Sequence, residues 1–232
     1  MKAFLLAAGE GTRLRPITYH LPKCLVPING KPLLEYWLEN LSNAGIEEFL
    51  INTHYKYQLV KEFVDKSQYR DKITLVYEEE LLNTGGSLLE NRDFFMQEPF
   101  MIVHADNLSL CNFDDFIQTH TQRYAITMML FESDNPSSCG VVELDKQGIV
   151  QTFHEKVQNP PSNLANGAVY ICESSIFDFL ENLNQQKIDF SLDVLPNFMG
   201  NINTFINKVY HRDIGTPLSY ALSQVEILKF LT

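Results

Sequence analysis

Cysteine is scarce in this sequence, with four residues in 232: Cys24, Cys111, Cys139 and Cys172. No two are close enough to form a zinc knuckle or a dithiol redox pair, and they are read as four reduced thiols. Long apolar runs are also missing. Nothing approaches the roughly 18 residues of a membrane helix. The N-terminal apolar run ends at Ala8 and passes into Gly and charge, unlike a secretory signal. The expectation is a cytoplasmic protein with no membrane partner. Positive charge is short as well, 18 Lys+Arg against 29 Asp+Glu, a net of −11. That balance argues against nucleic acid and anionic membrane surfaces as partners. Disorder is excluded by 45% hydrophobic and 12% aromatic content, and a chain of this length can bury a sizeable core.

The positive charge that is present gathers at one end. Residues 1–31 contain Lys2, Arg13, Arg15, Lys23 and Lys31 against Glu10 alone, a net of +4, so the remainder carries −15. A basic segment in an acidic chain points to a specific anion site.

Short apolar runs alternate with helical patterns, the mark of an α/β fold with a mostly parallel sheet. Lys2–Ala7 reads as a buried first strand, followed by a Gly-, Pro- and Arg-rich loop to residue 31. A helix starts at Pro32, with Leu33, Leu34, Trp37, Leu38 and Leu41 on one face and Gly45 as its stop. Strands are expected at 49–52, 73–77, 100–104 and 125–131, and helices at 55–66 and 113–123. Gly85-Gly86 should lead into a short helix. In the second half a hairpin crosses 145–148, Ser191 caps a helix through Phe198, and Thr216 caps a last helix carrying Leu218, Leu222 and Val225. A single domain over 1–232 is the simplest organisation.

The densest chemical signal is LLAAGEGTRLRP at 5–16, directly after the first strand. Gly9 and Gly11 let the backbone approach an anion and point N–H groups at it. Arg13, Arg15 and Lys23 add charge on the same loop, a composition suited to polyphosphate. The Gly-Lys-Ser/Thr ending of a Walker loop is absent, and Leu14 occupies the third glycine position of a Rossmann fingerprint. Asp106 follows an apolar strand, which places it at the carboxyl edge of the sheet, where open α/β folds bind ligands.

The string LLAAGEGTRLRPITYHLPKCLVPINGKPLL closely resembles the opening signature of sugar-1-phosphate nucleotidylyltransferases. Five further segments follow in that family's order: EEELLNTGGSLL (78–89), HADN (104–107), FHEKV (153–157), NGAVY (166–170) and HRDIGTP (211–217). The resemblance covers essentially the whole chain. It implies a nucleotide-diphospho-sugar transferase fold, with a mostly parallel, Rossmann-like central sheet flanked by helices and a smaller sugar-binding lobe. Residues 1–110 would mainly bind NTP, and 111–232 mainly sugar phosphate. It also implies transfer of a nucleotidyl group to a sugar 1-phosphate, giving an NDP-sugar and pyrophosphate, with Mg²⁺ as cofactor and Mn²⁺ or another divalent metal as substitute.

By the same resemblance Arg13, Lys23 and Asp106 are catalytic. Leu6, Ala7, Ala8, Gly9, Gly11, Thr12, Arg13, Glu78, Thr84 and Gly85 would bind the nucleotide. Asn107, Gly140, Glu155, Lys156 and Asn166 would bind the sugar phosphate, and Asp106 and Asp213 the metal. Such a pair of carboxylates suits Mg²⁺, which is usually completed by phosphate oxygens and water. With the chain ending soon after HRDIGTP, no C-terminal β-helix domain is expected.

Several positions depart from the family pattern: Val157 for Pro, His211 for Trp, His104-Ala105 for Asn-Gly, and Asn83 for Gly. Two of them create a repeated His-x-Asp, at 104–106 and 211–213. In extended chain such residues share a face, so the imidazoles either approach the metal, favouring Mn²⁺, Co²⁺ or Zn²⁺, or pack one strand step away. The second reading is preferred. Glu78 leans toward GTP, because a carboxylate accepts from the two N–H donors on one edge of guanine; UTP is next. Asn52, Thr53 and His54 either line the base pocket or cap the next helix, and Cys24 reads as an ordinary buried thiol. The alternatives are a cytidylyltransferase for a small phospho-alcohol, a metal-dependent glycosyltransferase, and a non-catalytic nucleotide-sugar-binding protein. A monomer and a homodimer are both left open.

Overall fold

A computed structural model describes residues 1–95 and 98–230. The parallel half of the sheet is built from β1 (Lys2–Leu6), β4 (Glu48–Thr53), β5 (Ile73–Tyr77) and β6 (Phe100–His104), with the hairpin β2 (Pro27–Ile28) and β3 (Lys31–Pro32) off the sheet. The remaining strands are β7 (Asn107–Leu110), β8 (Ile126–Glu132), β9 (Gly140–Leu144), β10 (Val150–Glu155), β11 (Leu164–Cys172), β12 (Ile202–Ile206) and β13 (Tyr210–Asp213). Among the described residues, nine strands form one sheet along the path β10-β9-β11-β6-β1-β4-β5, with β8 joining β11 to β12. β11 runs antiparallel to β6. The short pair β7 and β13 stands apart from this sheet.

Period-2 alternation explains why the central strands are apolar throughout, since helices cover both faces. Ala3, Leu5, Phe49, Ile51, Met101 and Val103 pack on one face with Trp37, Leu41 and Phe116. Phe4, Leu50, Phe100 and Ile102 pack on the other with Leu88, Tyr170, Leu180 and Phe190. The helices are α1 (Leu33–Asn43), α2 (Tyr57–Lys66), α3 (Asn83–Glu90), α4 (Phe113–Thr119), α5 (Ile176–Asn182) and α6 (Pro217–Glu226). α1 stops as expected: Gly45 takes φ +79, its N–H bonds Ser42 O, and Ile46 N–H bonds Leu41 O, a Schellman closure.

Three local expectations are corrected. α4 ends at Thr119 rather than 123, because His120 turns extended and bonds Thr127 and Glu173 across the sheet edge. The helix expected from Ser191 is a π turn (Phe190–Val194) followed by a 3₁₀ turn (Leu195–Phe198), and its cap is Asp189, which accepts from Ser191 N and Leu192 N. Gly85 and Gly86 lie inside α3, not ahead of it. In α6, Leu218, Leu222 and Val225 face solvent, at 71%, 39% and 66% exposure. The inward face is instead Tyr220, Ser223, Gln224 and Ile227, with Tyr220 Oη and Gln224 Nε2 both donating to Pro27 O.

α3 approaches the 186–188 segment so closely that a Cβ on Gly86 would collide with the Gln186 carbonyl, and one on Gly85 would stand 2.7 Å from Ile188 Cγ2. Gly→Ala inside a helix normally gains up to about 1 kcal/mol. Here overpacking reverses the sign, and Gly86→Ala is expected to destabilise by about 1–3 kcal/mol, read from the denaturant midpoint. A stabilised variant would contradict this packing.

Candidate active site

The carboxyl edge of β1, β4, β5 and β6 brings together Leu6, Asn52, Tyr77 and His104, so the loops after these strands converge on one mouth. A cavity of about 310 Å³ opens there, lined by residues that include Leu6–Gly9, Gly11–Arg13, Lys23, Asn52, Glu78, Thr84, Ser87, His104–Asp106 and Gly215. The glycine loop is held by its own backbone. Gly11 takes φ +63, and a Cβ there would meet Thr18 Cγ2 at 2.9 Å. Thr18 Oγ1 donates to Gly11 O, and Tyr55 Oη donates to Thr18 O. Buried Leu14, Leu25 and Val26 anchor the loop's short 3₁₀ turns. Arg15 does not line the cavity; it pairs with Glu10 at 3.9 Å and lies over the Tyr19 ring.

The centre of the site is ionic. Lys23 Nζ, on a side chain only 7% exposed, donates to Asp106 Oδ2 at 2.8 Å and to Asp213 Oδ1 at 3.1 Å. Arg13 Nη2 stands 3.8 Å from Asp213 Oδ2. Burial alone would raise the Asp106 carboxyl, but the Lys23 charge, helped by His104, the Lys23 hydrogen bond and Arg13, holds it at about 2. Burial likewise works against the Lys23 ammonium, and the two aspartates overcome it and push Lys23 up.

Backbone pairing fixes both carboxylates. Ala105 N–H donates to Leu6 O, Ile214 N–H donates to Asp106 O, and Asp213 sits opposite Asn107 in the β7–β13 pair. Next to Asp213, Arg212 clamps β13 to α6 through Glu226 (2.6 and 2.8 Å) and reaches Asp134 at 3.2 Å. Thr216 caps α6 by accepting from Ser219 N, as expected.

At the other end of the cavity Asn52 links the glycine loop to Glu78. Its Oδ1 accepts from Ala7 N and its Nδ2 donates to Glu78 Oε1, each at 2.8 Å. Asn52 therefore lines the pocket and does not cap α2. Glu78 is buried, and among the described residues its Oε2 has no hydrogen-bond partner. A buried acceptor without a partner is costly, so this oxygen is suited to a donor supplied by a ligand. Thr84 lines the cavity, although its Oγ1 accepts from Phe190 N. Gly85 does not line it, and its N–H goes to Ile188 O.

The residues expected at the sugar phosphate form a neighbouring group. Gly140 is obligatory, since a Cβ would lie 2.5 Å from the Phe153 ring and 2.6 Å from Glu155 Oε2. Glu155 Oε1 accepts from Lys156 Nζ at 2.8 Å, and Lys156 adopts φ +49. Asn166 donates to Tyr170 Oη at 2.6 Å and accepts from Ala168 N across an irregularity in β11. Tyr170, whose hydroxyl burial pushes strongly upward in pKa, packs its ring at a tilt against Phe190, the residue held by Thr84. Asn107 is buried and serves the fold: its carbonyl accepts from Trp37 Nε1 and its amide donates to Gly167 O.

His211 is engaged by neighbours other than the two aspartates. Its Nδ1 shares a 2.6 Å hydrogen bond with Ser109 Oγ, its ring lies 4.1 Å from that of Phe131, and burial drives its pKa down to about 3. His104 lines the cavity and is pushed down mainly by burial. Among the described residues no group of three or more His, Cys, Asp or Glu could hold a metal. Two hard carboxylates with phosphate oxygens to complete the shell nevertheless fit Mg²⁺, and the Lys23 ammonium already occupies a cation position between them. Cys24 is buried, and burial pushes its thiol up to about 12. The sequence reading missed Leu81, Ser87 and Gly215 on the cavity wall. Ser87 stands one turn after Asn83 on α3, a spacing that marks a shared helix face.

Among the described residues no helix is long and apolar enough to cross a membrane. Comparison with known proteins gives the family. The chain is 29% identical to mannose-1-phosphate guanylyltransferase of Mycobacterium tuberculosis over 98% of its length, but spans 64% of that relative. It is 32% identical to D-glycero-alpha-D-manno-heptose 1-phosphate guanylyltransferase of Campylobacter jejuni, covering 95% of this chain and 97% of the relative. The crystal structure of HddC from Yersinia pseudotuberculosis complexed with GMP-PN superposes with a TM-score of 0.83 at 27% identity, over 97% of this chain and 99% of that one. The nucleotidyl transferase family model matches residues 2–229, and the chain belongs to that family.

Proposed function

We propose that the protein is a sugar-1-phosphate guanylyltransferase: it joins GTP to a sugar 1-phosphate and releases pyrophosphate. A phosphate oxygen of the sugar 1-phosphate forms a bond to the α-phosphorus as the bond from that phosphorus to the β-phosphate bridging oxygen breaks. Such a reaction needs alignment and charge neutralisation more than covalent help. The glycine loop and Arg13 cradle the triphosphate and the departing pyrophosphate. Lys23 carries positive charge to the reacting phosphate. Glu155, Lys156 and Asn166 hold the sugar phosphate. Asp106 and Asp213 hold a divalent metal, Mg²⁺ by choice, which supplies charge neutralisation on the phosphates when bound.

The observation that carries the choice of base is the partnerless, buried Oε2 of Glu78. Guanine presents N1–H and its exocyclic amine side by side to a carboxylate. A uracil or thymine imide offers one N–H flanked by carbonyl oxygens, which the carboxylate repels. Two relatives named as guanylyltransferases and a neighbour solved with GMP-PN support the same reading.

Pyrophosphate release from a matrix of GTP, UTP, dTTP, CTP and ATP against a panel of sugar 1-phosphates tests it, with GTP expected to give the highest kcat/KM. Release fastest with UTP or dTTP would overturn the base assignment. Tight nucleotide-sugar binding with no release from any pair would overturn the enzymatic reading. Glu78→Gln exchanges one acceptor for a donor and is expected to lower kcat/KM for GTP about 10- to 100-fold, the scale of a charged hydrogen bond. Arg13→Ala and Asp106→Ala should each lower turnover by at least about a hundredfold; rates near wild type would remove them from the reacting centre.

A further inference from the structure

The bridge made by Lys23 has a consequence for the order in which ligands bind. Its ammonium touches one oxygen of each carboxylate, 2.8 Å from Asp106 and 3.1 Å from Asp213, and its side chain is almost wholly buried. Mg²⁺ bound to those same two oxygens needs them at about 2.0–2.1 Å, and a cation there is repelled by an ammonium bonded to the same pair. The charge balance points the same way. Asp106 and Asp213 are matched by Lys23 and Arg13, so these two carboxylates present no uncompensated charge to a divalent ion until phosphate draws their cations away. Among the described residues Arg13 pairs with Asp213 and not with Asp106, at 3.8 Å and from an exposed side chain, so it does not bridge the two.

The ammonium also has somewhere to go. Lys23 lines the same cavity as the glycine loop, and its Cβ would lie 3.1 Å from a Cβ on Gly11. Its backbone is pinned by Leu25 N to Pro22 O and Val26 N to Lys23 O, so that a move of the ammonium toward a bound phosphate would need side-chain rotation alone.

We propose that Lys23 is a place-holding cation: in the nucleotide-free protein it keeps the metal carboxylates together, and it yields them to the divalent ion only when a triphosphate draws its ammonium away. Metal then loads with the nucleotide and not before it. This rests on the reading of Asp106 and Asp213 as the metal carboxylates. It adds a positioning role to Lys23 beyond contact with phosphate.

Binding of Mn²⁺ to the full chain, followed by the electron paramagnetic resonance of the free ion, tests the idea without turnover. Wild type is expected to bind Mn²⁺ weakly alone and tightly with a non-hydrolysable GTP analogue. Lys23→Met, with the bridging charge gone, is expected to bind Mn²⁺ without nucleotide at least about tenfold more tightly than wild type, and its thermal midpoint should rise on adding Mn²⁺ alone. Lys23→Arg keeps the charge and should behave as wild type. Lys23→Gln serves should Lys23→Met prove insoluble. Equal or weaker Mn²⁺ binding in the neutral variants would overturn the place-holding role. Should wild type with the GTP analogue bind no Mn²⁺, or Asp106→Asn leave that binding unchanged, the metal assignment itself fails and the place-holding role with it.

Discussion

The ammonium of Lys23 between Asp106 and Asp213 ties together residues 83 and 190 positions apart in the chain. Each partner arrives by a different route. Lys23 comes from a loop of 3₁₀ turns anchored by buried Leu14, Leu25 and Val26. Asp106 comes from the end of a central parallel strand. Asp213 comes from a strand outside the main sheet, clamped to α6 by Arg212 and Glu226. A buried charge without partners is severely unfavourable, and a pair broken on one side leaves the other exposed to that cost. The glycine loop, the β7–β13 pair and α6 therefore have to meet in one arrangement, which is also the arrangement that turns Lys23 and Arg13 toward the cavity.

The base end of the cavity follows the same logic with opposite sign. Glu78 is placed by β5 and held through Asn52, whose other amide atom fixes the start of the glycine loop. One carboxylate oxygen is satisfied within the protein and the other is not. In the proposed function this unpaired acceptor is what selects the base, a device that can discriminate more sharply than shape.

Much of this was legible in the sequence because it is local. The strand–loop string at 5–16, the aspartate after an apolar strand and the Gly45 stop each express a short-range rule, and each appears in the structure. The basic cluster at 1–31 resolves into Lys23 and Arg13 at the site and Arg15 paired with Glu10. What could not be read depended on distant partners. Gly85 and Gly86 look like a ligand loop, but they exist for the close approach of residues 186–188. His104 and His211 share a sequence pattern but part company, because Ser109 and Phe131 capture only the second. The orientation of α6 is likewise set at a distance: Tyr220 and Gln224 take the inner side by hydrogen-bonding Pro27 O, and Leu218, Leu222 and Val225 face solvent.

A crystal of the full chain grown with a non-hydrolysable GTP analogue and Mn²⁺, measured at the manganese absorption edge, tests the central claim most directly. The account predicts an anomalous peak within ligand distance of both Asp106 and Asp213, with Lys23 Nζ moved onto a phosphate oxygen. A peak away from both carboxylates, with Lys23 still bridging them beside a fully bound nucleotide, would contradict it.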